Sequence, residues 1–124
     1  MNDLFFHPGK MAEAFMDIVS DACFLVNAET GQIIAANALA CEMTGYEREE
    51  LVGMEMTALL PKMADGDLSR LFGGLGSGPL VIEKEMKRKD GSVFTSEIRA
   101  AVTENEGNEI LLILARDLSG ENKG

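Results

Sequence analysis

The most regular pattern in the chain lies near its end, where Phe94, Ser96, Ile98, Ala100 and Val102 alternate with Thr95, Glu97 and Arg99. A period of two puts the first set on one face of a strand and the second on the other, so this stretch is predicted to be half-buried. Leu80, Ile82 and Met86 begin a strand before it, and Lys89-Asp90-Gly91 supplies the turn between them. After a second turn over Glu104 to Asn108, the run Ile110 to Ala115 is apolar on both faces, the pattern of a central strand covered on both sides. Two further strands are predicted upstream, Cys23 to Val26 and Gln32 to Ala36, joined through Asn27-Ala28-Glu29-Thr30-Gly31.

The period changes elsewhere. Met11, Phe15, Ile18 and Val19 recur at helical spacing, with Glu13, Asp17 and Ser20 between them, predicting an amphipathic helix of about three turns. Between the two groups of strands the helical segments are short. Asn37 is a good N-cap for a helix through Ala38, Leu39 and Ala40, because its side-chain oxygen can accept an orphan N–H of the first turn. Gly45 ends that helix, Tyr46 is expected to fold its ring onto the core, and an acidic turn closes at Leu51-Val52-Gly53. Glu55 to Leu60 forms another short helix stopped by Pro61, and Asp65-Gly66-Asp67 opens one through Leu68, Leu71 and Phe72. The order predicts an α+β fold, a five-stranded antiparallel sheet with short helices on one face and an N-terminal amphipathic helix. Several short helices in place of one long helix leave space between helices and sheet.

Composition narrows the function classes. The 124 residues suit a single domain with a modest core. The net charge of −10 is concentrated in residues 1–67, where twelve acidic side chains face three basic ones. Such a balance argues against nucleic acid or an anionic membrane as partner. No apolar run of about 18 residues is present, so no direct membrane insertion is expected, and no secretory signal is evident, so a cytoplasmic location is expected. The basic residues Lys84, Lys87, Arg88 and Lys89 are interleaved with Glu83, Glu85 and Asp90 and read as the solvated end of a strand. Cys23 and Cys41 lack any paired spacing and read as reduced residues in apolar surroundings. With His7 the only histidine, neither a zinc site nor a Ser-His-Asp set can be assembled. The glycines of the 73–78 segment lack the Lys-Ser/Thr of a phosphate loop and read as a connector. Glu42, Glu47, Glu49 and Glu50 look like solvated helix faces, which weighs against an enzyme built on a pocket carboxylate.

The element order, together with particular residues, resembles a PAS domain, the sensory module of bacterial histidine kinases and cyclic-dinucleotide enzymes. Asp21-Ala22 through Val26 resembles the family's first strand, and Glu29-Thr30-Gly31-Gln32-Ile33 its turn into the second. Ala36-Asn37 and Gly45 to Gly53 resemble its helical segment, and Arg88-Lys89-Asp90-Gly91-Ser92 its hairpin turn. Ala115-Arg116-Asp117-Leu118-Ser119 resembles the closing signature that passes a signal to the next domain. On this resemblance residues 1–20 are an arm and cap helix, 21–119 the domain, and 120–124 the start of a linker.

The resemblance implies a small-molecule pocket between sheet and helices, lined by Asn37, Met43, Met56, Leu60, Phe72, Ile82, Met86, Phe94, Ser96, Ile98 and Leu112. Thr57, Ser96 and Asn37 are its few polar groups. It implies no catalytic or metal residue, a relay through Arg116 and Asp117, and a covalently linked output domain. The amphipathic first helix leaves two readings, a cover for one face of its own domain or a homodimer contact in which two copies meet through Met11, Phe15, Met16 and Val19 with the exposed sheet face. The homodimer is the expected partner. The flavin-photoadduct branch requires a reactive cysteine after Leu-Val-Gly, and the position is taken by Met56. The haem oxygen-sensor branch is nearer, since Asp65-Gly66-Asp67-Leu68-Ser69-Arg70 matches its Asp-Gly-x-Leu-x-Arg pattern, but Ala64 stands where its ligating histidine belongs. No cofactor is therefore expected. Eight methionines, among them Met43, Met54, Met56, Met63 and Met86 in the segments around the pocket, leave two readings. Either they adapt a cavity to a small apolar ligand, or they fill the core of a ligand-free dimerisation module.

Overall fold

The computed structural model describes residues 18–63 and 80–119. The predicted arm, most of the N-terminal helix with Met11, Phe15 and Met16, the helix through Phe72, the glycine-rich connector and the tail from residue 120 lie outside the described residues. Strand β1 spans Ala22–Asn27 and β2 Ile33–Ala36; helix α1 spans Ala38–Thr44 and α2 Arg48–Leu51; a 3-10 turn covers Met56–Leu59. Strands β3 (Leu80–Lys87), β4 (Val93–Asn105) and β5 (Asn108–Asp117) follow.

The five strands form one antiparallel sheet in the order β2-β1-β5-β4-β3. β5 is central, in keeping with its apolar character on both faces. Both strands of the last hairpin run further than the apolar pattern predicts, with Glu106 and Gly107 in left-handed conformations at the tip. Backbone pairing carries a strand past the end of its core-facing residues. β2 is short, and its outer edge is closed by the segment after α2, where Gly53 donates to the Ile33 carbonyl and Ile33 to that of Met54.

One sheet face carries the core. Ala22, Phe24 and Val26 of β1 and Leu111, Ile113 and Ala115 of β5 are buried together with Ile98, Ala100, Leu51, Met56 and Leu59. Two side chains depart from expectation. Leu112 sits between Leu111 and Ile113, so its side chain points to the opposite face of the sheet, where it is half-buried. Val102 lies on the expected face, yet it is exposed, because β3 pairs with β4 only as far as Ala100. Cys23 alternates away from the core set and is nonetheless fully buried.

Candidate functional site

The inner sheet face and the helical layer bring most of the predicted pocket residues together. Met56, Leu60, Met86, Phe94 and Ile98 are buried in one cluster, with Met43 and Ile82 half-buried against it. Ser96 is fully buried beside them, but its hydroxyl donates to the Lys84 carbonyl at 2.9 Å across the β3–β4 ladder. Leu112 faces the other side of the sheet and Phe72 lies outside the described residues. Tyr46 packs its ring against this cluster, as the break after Gly45 predicts.

Asn37 holds the N-terminal end of α1 to the start of β1. Its Oδ1 accepts the Ala40 amide at 2.9 Å as the helix cap and the Cys23 amide at 2.9 Å, while Nδ2 donates to the Asp21 carbonyl at 3.0 Å. The cap was legible in the sequence; the reach into β1 was not, since it spans fourteen residues to Cys23. Asn37 thus joins the backbone at the start of β1 to the first turn of α1.

The C-terminal end of α1 is docked on the β3–β4 turn. Gly45 turns in the left-handed region at φ +81°, and its amide closes on the Cys41 carbonyl. The next orphan carbonyls of the helix are met by the turn: Arg88 Nε donates to Met43 O at 3.2 Å, and the Lys89 amide donates to Thr44 O at 2.8 Å. Arg88 then reaches further. Its Nη2 donates to Asp117 Oδ2 at 3.0 Å, Nη1 to Ser92 Oγ at 3.1 Å, and the guanidinium lies 4.1 Å from the centre of the Phe94 ring. Asp117 Oδ1 accepts both the amide and the hydroxyl of Ser119, and the Leu118 amide donates to Thr95 O. Asp117 and Leu118 therefore tie the end of β5 to the β3–β4 turn and to β4, and Ser119 is held on the Asp117 carboxylate.

Of the two predicted relay residues, Asp117 is at the centre of this arrangement and Arg116 at its margin, exposed and 3.5 Å from Asp21. Arg88 is the residue missed from the sequence. Its place in a run of alternating charges resembled a solvated strand end, and nothing local marks a side chain that reaches twenty-nine residues ahead. Beside it, Lys89 pairs with Glu50 at 2.8 Å. That hydrogen bond, with one from the Glu47 amide, holds the Glu50 carboxyl below its usual range, and Glu50 in turn raises Lys89. Val19, from the expected dimer contact, is half-buried next to an exposed Ile18.

Between α1 and the strand ends opens a groove of about 300 Å³, lined by Asp21, Leu39, Glu42, Met43, Arg116 and Asp117 among others. Nucleophilic chemistry finds little support. Burial pushes the Cys23 thiol up to about 11 and raises Cys41 as well, which keeps both protonated near neutral pH. Among the described residues no group of three His, Cys, Asp or Glu could hold a metal, and no helix is long and apolar enough to cross a membrane.

Comparison with known proteins gives a consistent result. The model of the PAS domain family matches residues 20–120. The structure is similar to the PAS domain of an HTR-like protein from Haloarcula marismortui, with a TM-score of 0.77 at 21% identity, covering 94% of this chain and 96% of that one. A PAS domain from a two-component sensor histidine kinase aligns with a TM-score of 0.75 at 19% identity, covering 90% and 96%. A domain of a sensory box sensor histidine kinase/response regulator from Geobacter sulfurreducens aligns at 0.69 with 27% identity, covering 92% and 96%. Among curated proteins none matches.

Proposed function

Since this chain belongs to the PAS domain family, we propose that it is a sensory and relay module: it binds a small apolar molecule or a protein partner, and the change in packing leaves through Arg116 and Asp117. The receiving element is a C-terminal output domain, a histidine kinase or a cyclic-dinucleotide enzyme. The observation that carries this reading is the exit of β5, where the Asp117 carboxylate joins the sheet, through Arg88, to the residues that follow the last strand. A change in sheet position alters the bonds that hold the departing chain. The role is regulatory, and no catalytic residue is assigned.

The ligand end of the proposal rests on the methionine-rich interior. Met56 offers a fully buried thioether where a photoadduct would need a thiol, so no flavin adduct enters the reading. Ala64, in place of a histidine, leaves haem without that axial ligand. A small apolar molecule is the class that fits thioethers, Phe94 and Ile98 with one hydroxyl nearby.

A second reading has its own support: Met56 and Met86 are both fully buried, as in a core already filled by its side chains. In that case the chain is a homodimerisation module using Met11, Phe15, Met16 and Val19. Native mass spectrometry of freshly purified protein separates the two. A mass excess that disappears on denaturation supports the sensor; a clean polypeptide mass in dimeric form supports the interaction module.

A further inference from the structure

Helix α1 is fastened at both ends, and each fastening leads to a chain connection. At its N-terminus Asn37 ties it to Asp21, where the chain enters β1. At its C-terminus Arg88 takes the Met43 carbonyl with Nε and the Asp117 carboxylate with Nη2, so one planar group joins the helix end to the chain exit. The remaining surroundings fix that group: the Phe94 ring lies beneath it and Ser92 Oγ accepts from its third nitrogen. Because Nε and Nη2 belong to one planar fork, a shift of the Met43 acceptor is passed to the Asp117 contact.

We propose that Arg88 is a positioning residue that transmits the state of the α1 C-terminal turn to the chain exit at Asp117. This rests on the relay reading above and names its upstream input. Three links support it. Met43, whose carbonyl Arg88 holds, has its side chain against the core, so a change in core packing moves the acceptor. The neighbouring Lys89 amide holds Thr44 O, so the turn follows the helix end as a unit. Asp117, the other partner, holds the amide and hydroxyl of Ser119, so a displaced guanidinium changes the bonds of the first residues beyond β5. Phe94, under the guanidinium, belongs to the same buried cluster and gives the interior a second point of contact with Arg88.

The test needs neither ligand nor output domain, so it can fail while the sensory reading stands, and the reverse. Thr44→Val removes the bonds that the Thr44 hydroxyl makes to the Ala40 carbonyl and from the Tyr46 amide, loosening the helix end without touching Arg88 or Asp117. Amide hydrogen exchange is then read at Leu118 and Ser119 by NMR, relative to Ile113 in the central strand. With Arg88 present, Thr44→Val is expected to raise exchange at Leu118 and Ser119 by about threefold or more; in an Arg88→Met background the added rise falls below about 1.5-fold. Equal rises in both backgrounds, or none in either, would overturn the proposal. If Arg88→Met fails to fold, Arg88→Lys serves, because one ammonium cannot span both acceptors as the fork does. Full coupling retained in Arg88→Lys would also overturn it.

Discussion

Arg88 and Asp117 are twenty-nine residues apart in sequence and meet at 3.0 Å, joining the β3–β4 turn to the last residue of the central strand. The two side chains are 30% and 31% exposed, intermediate between a solvated pair and a buried one. Water therefore screens part of their attraction, but the hydrogen bonds to Ser119 and the Phe94 ring keep both groups in place. Asp117→Asn keeps the shape and removes the charge, and we expect it to cost about 1 kcal/mol of unfolding free energy. Urea denaturation measures this directly. No change in midpoint would mean that the pair contributes geometry alone.

Asn37 is expected to be the more sensitive position for stability. Replacement by alanine removes the α1 cap and leaves the Cys23 amide, in a fully buried residue, without its Oδ1 acceptor. The two losses together predict destabilisation by about 3 kcal/mol. Asn37→Asp keeps the acceptor of both amides and loses the Nδ2 donor that bonds the Asp21 carbonyl. The two amide bonds offset the burial of its charge, so its cost is expected to be smaller. Equal midpoints for the two variants would show that the acceptor oxygen does not matter.

The difference between these two residues marks how far the sequence could be read. Asn37 announces itself locally, because a capping side chain acts on amides within three residues and the apolar-to-helical change sits beside it. Gly45 does so too, at φ +81°, a conformation that favours glycine. The alternation from Phe94 to Ala100 identifies the buried face of β4, since Phe94, Ser96, Ile98 and Ala100 are buried while Thr95 and Arg99 between them are exposed. Leu112 is expected in the pocket on the resemblance, but in a strand apolar on both faces hydrophobicity does not specify direction, and its side chain lies on the opposite face. Arg88 was unreadable for a different reason. Its partners are a helix carbonyl forty-five residues back and a carboxylate twenty-nine ahead, brought within reach by the docking of α1 on the β3–β4 turn and by the antiparallel order of β3, β4 and β5.

The Glu50–Lys89 bond gives a pH signature with a definite sign. Glu50 is lowered from 4.5, so what it contributes is fully present above that value and is lost as pH falls through its folded value. Lys89 is raised from 10.5, so its contribution is fully present below that value and is lost as pH rises through its folded value. Between these limits the pair's contribution is constant. A carboxyl NMR titration is expected to place Glu50 below 4.5, and Lys89→Met to bring it back up. Both groups are exposed, so high salt should have the same effect as the substitution in weaker form. A Glu50 midpoint unmoved by Lys89→Met would show that the Glu47 amide alone sets it.

The two cysteines offer a probe of local and global opening. Cys23 is fully buried in β1 with its thiol pushed up to about 11 by burial, while Cys41 is half-buried on α1. A disulfide-exchange reagent at pH 8 needs both access and thiolate, and Cys23 offers neither in the folded chain. Cys41 is therefore expected to react first, in a single-thiol phase, with Cys23 following only when β1 leaves its partners β2 and β5. In denaturant both thiols should react together at the rate of an ordinary cysteine. Because the Cys23 amide bonds to Asn37 Oδ1, Asn37→Ala should accelerate the second phase far more than the first. Equal acceleration of both phases would instead mean that α1 and β1 open as one unit, and that Asn37 stabilises the domain as a whole with no separate hold on the β1–α1 junction.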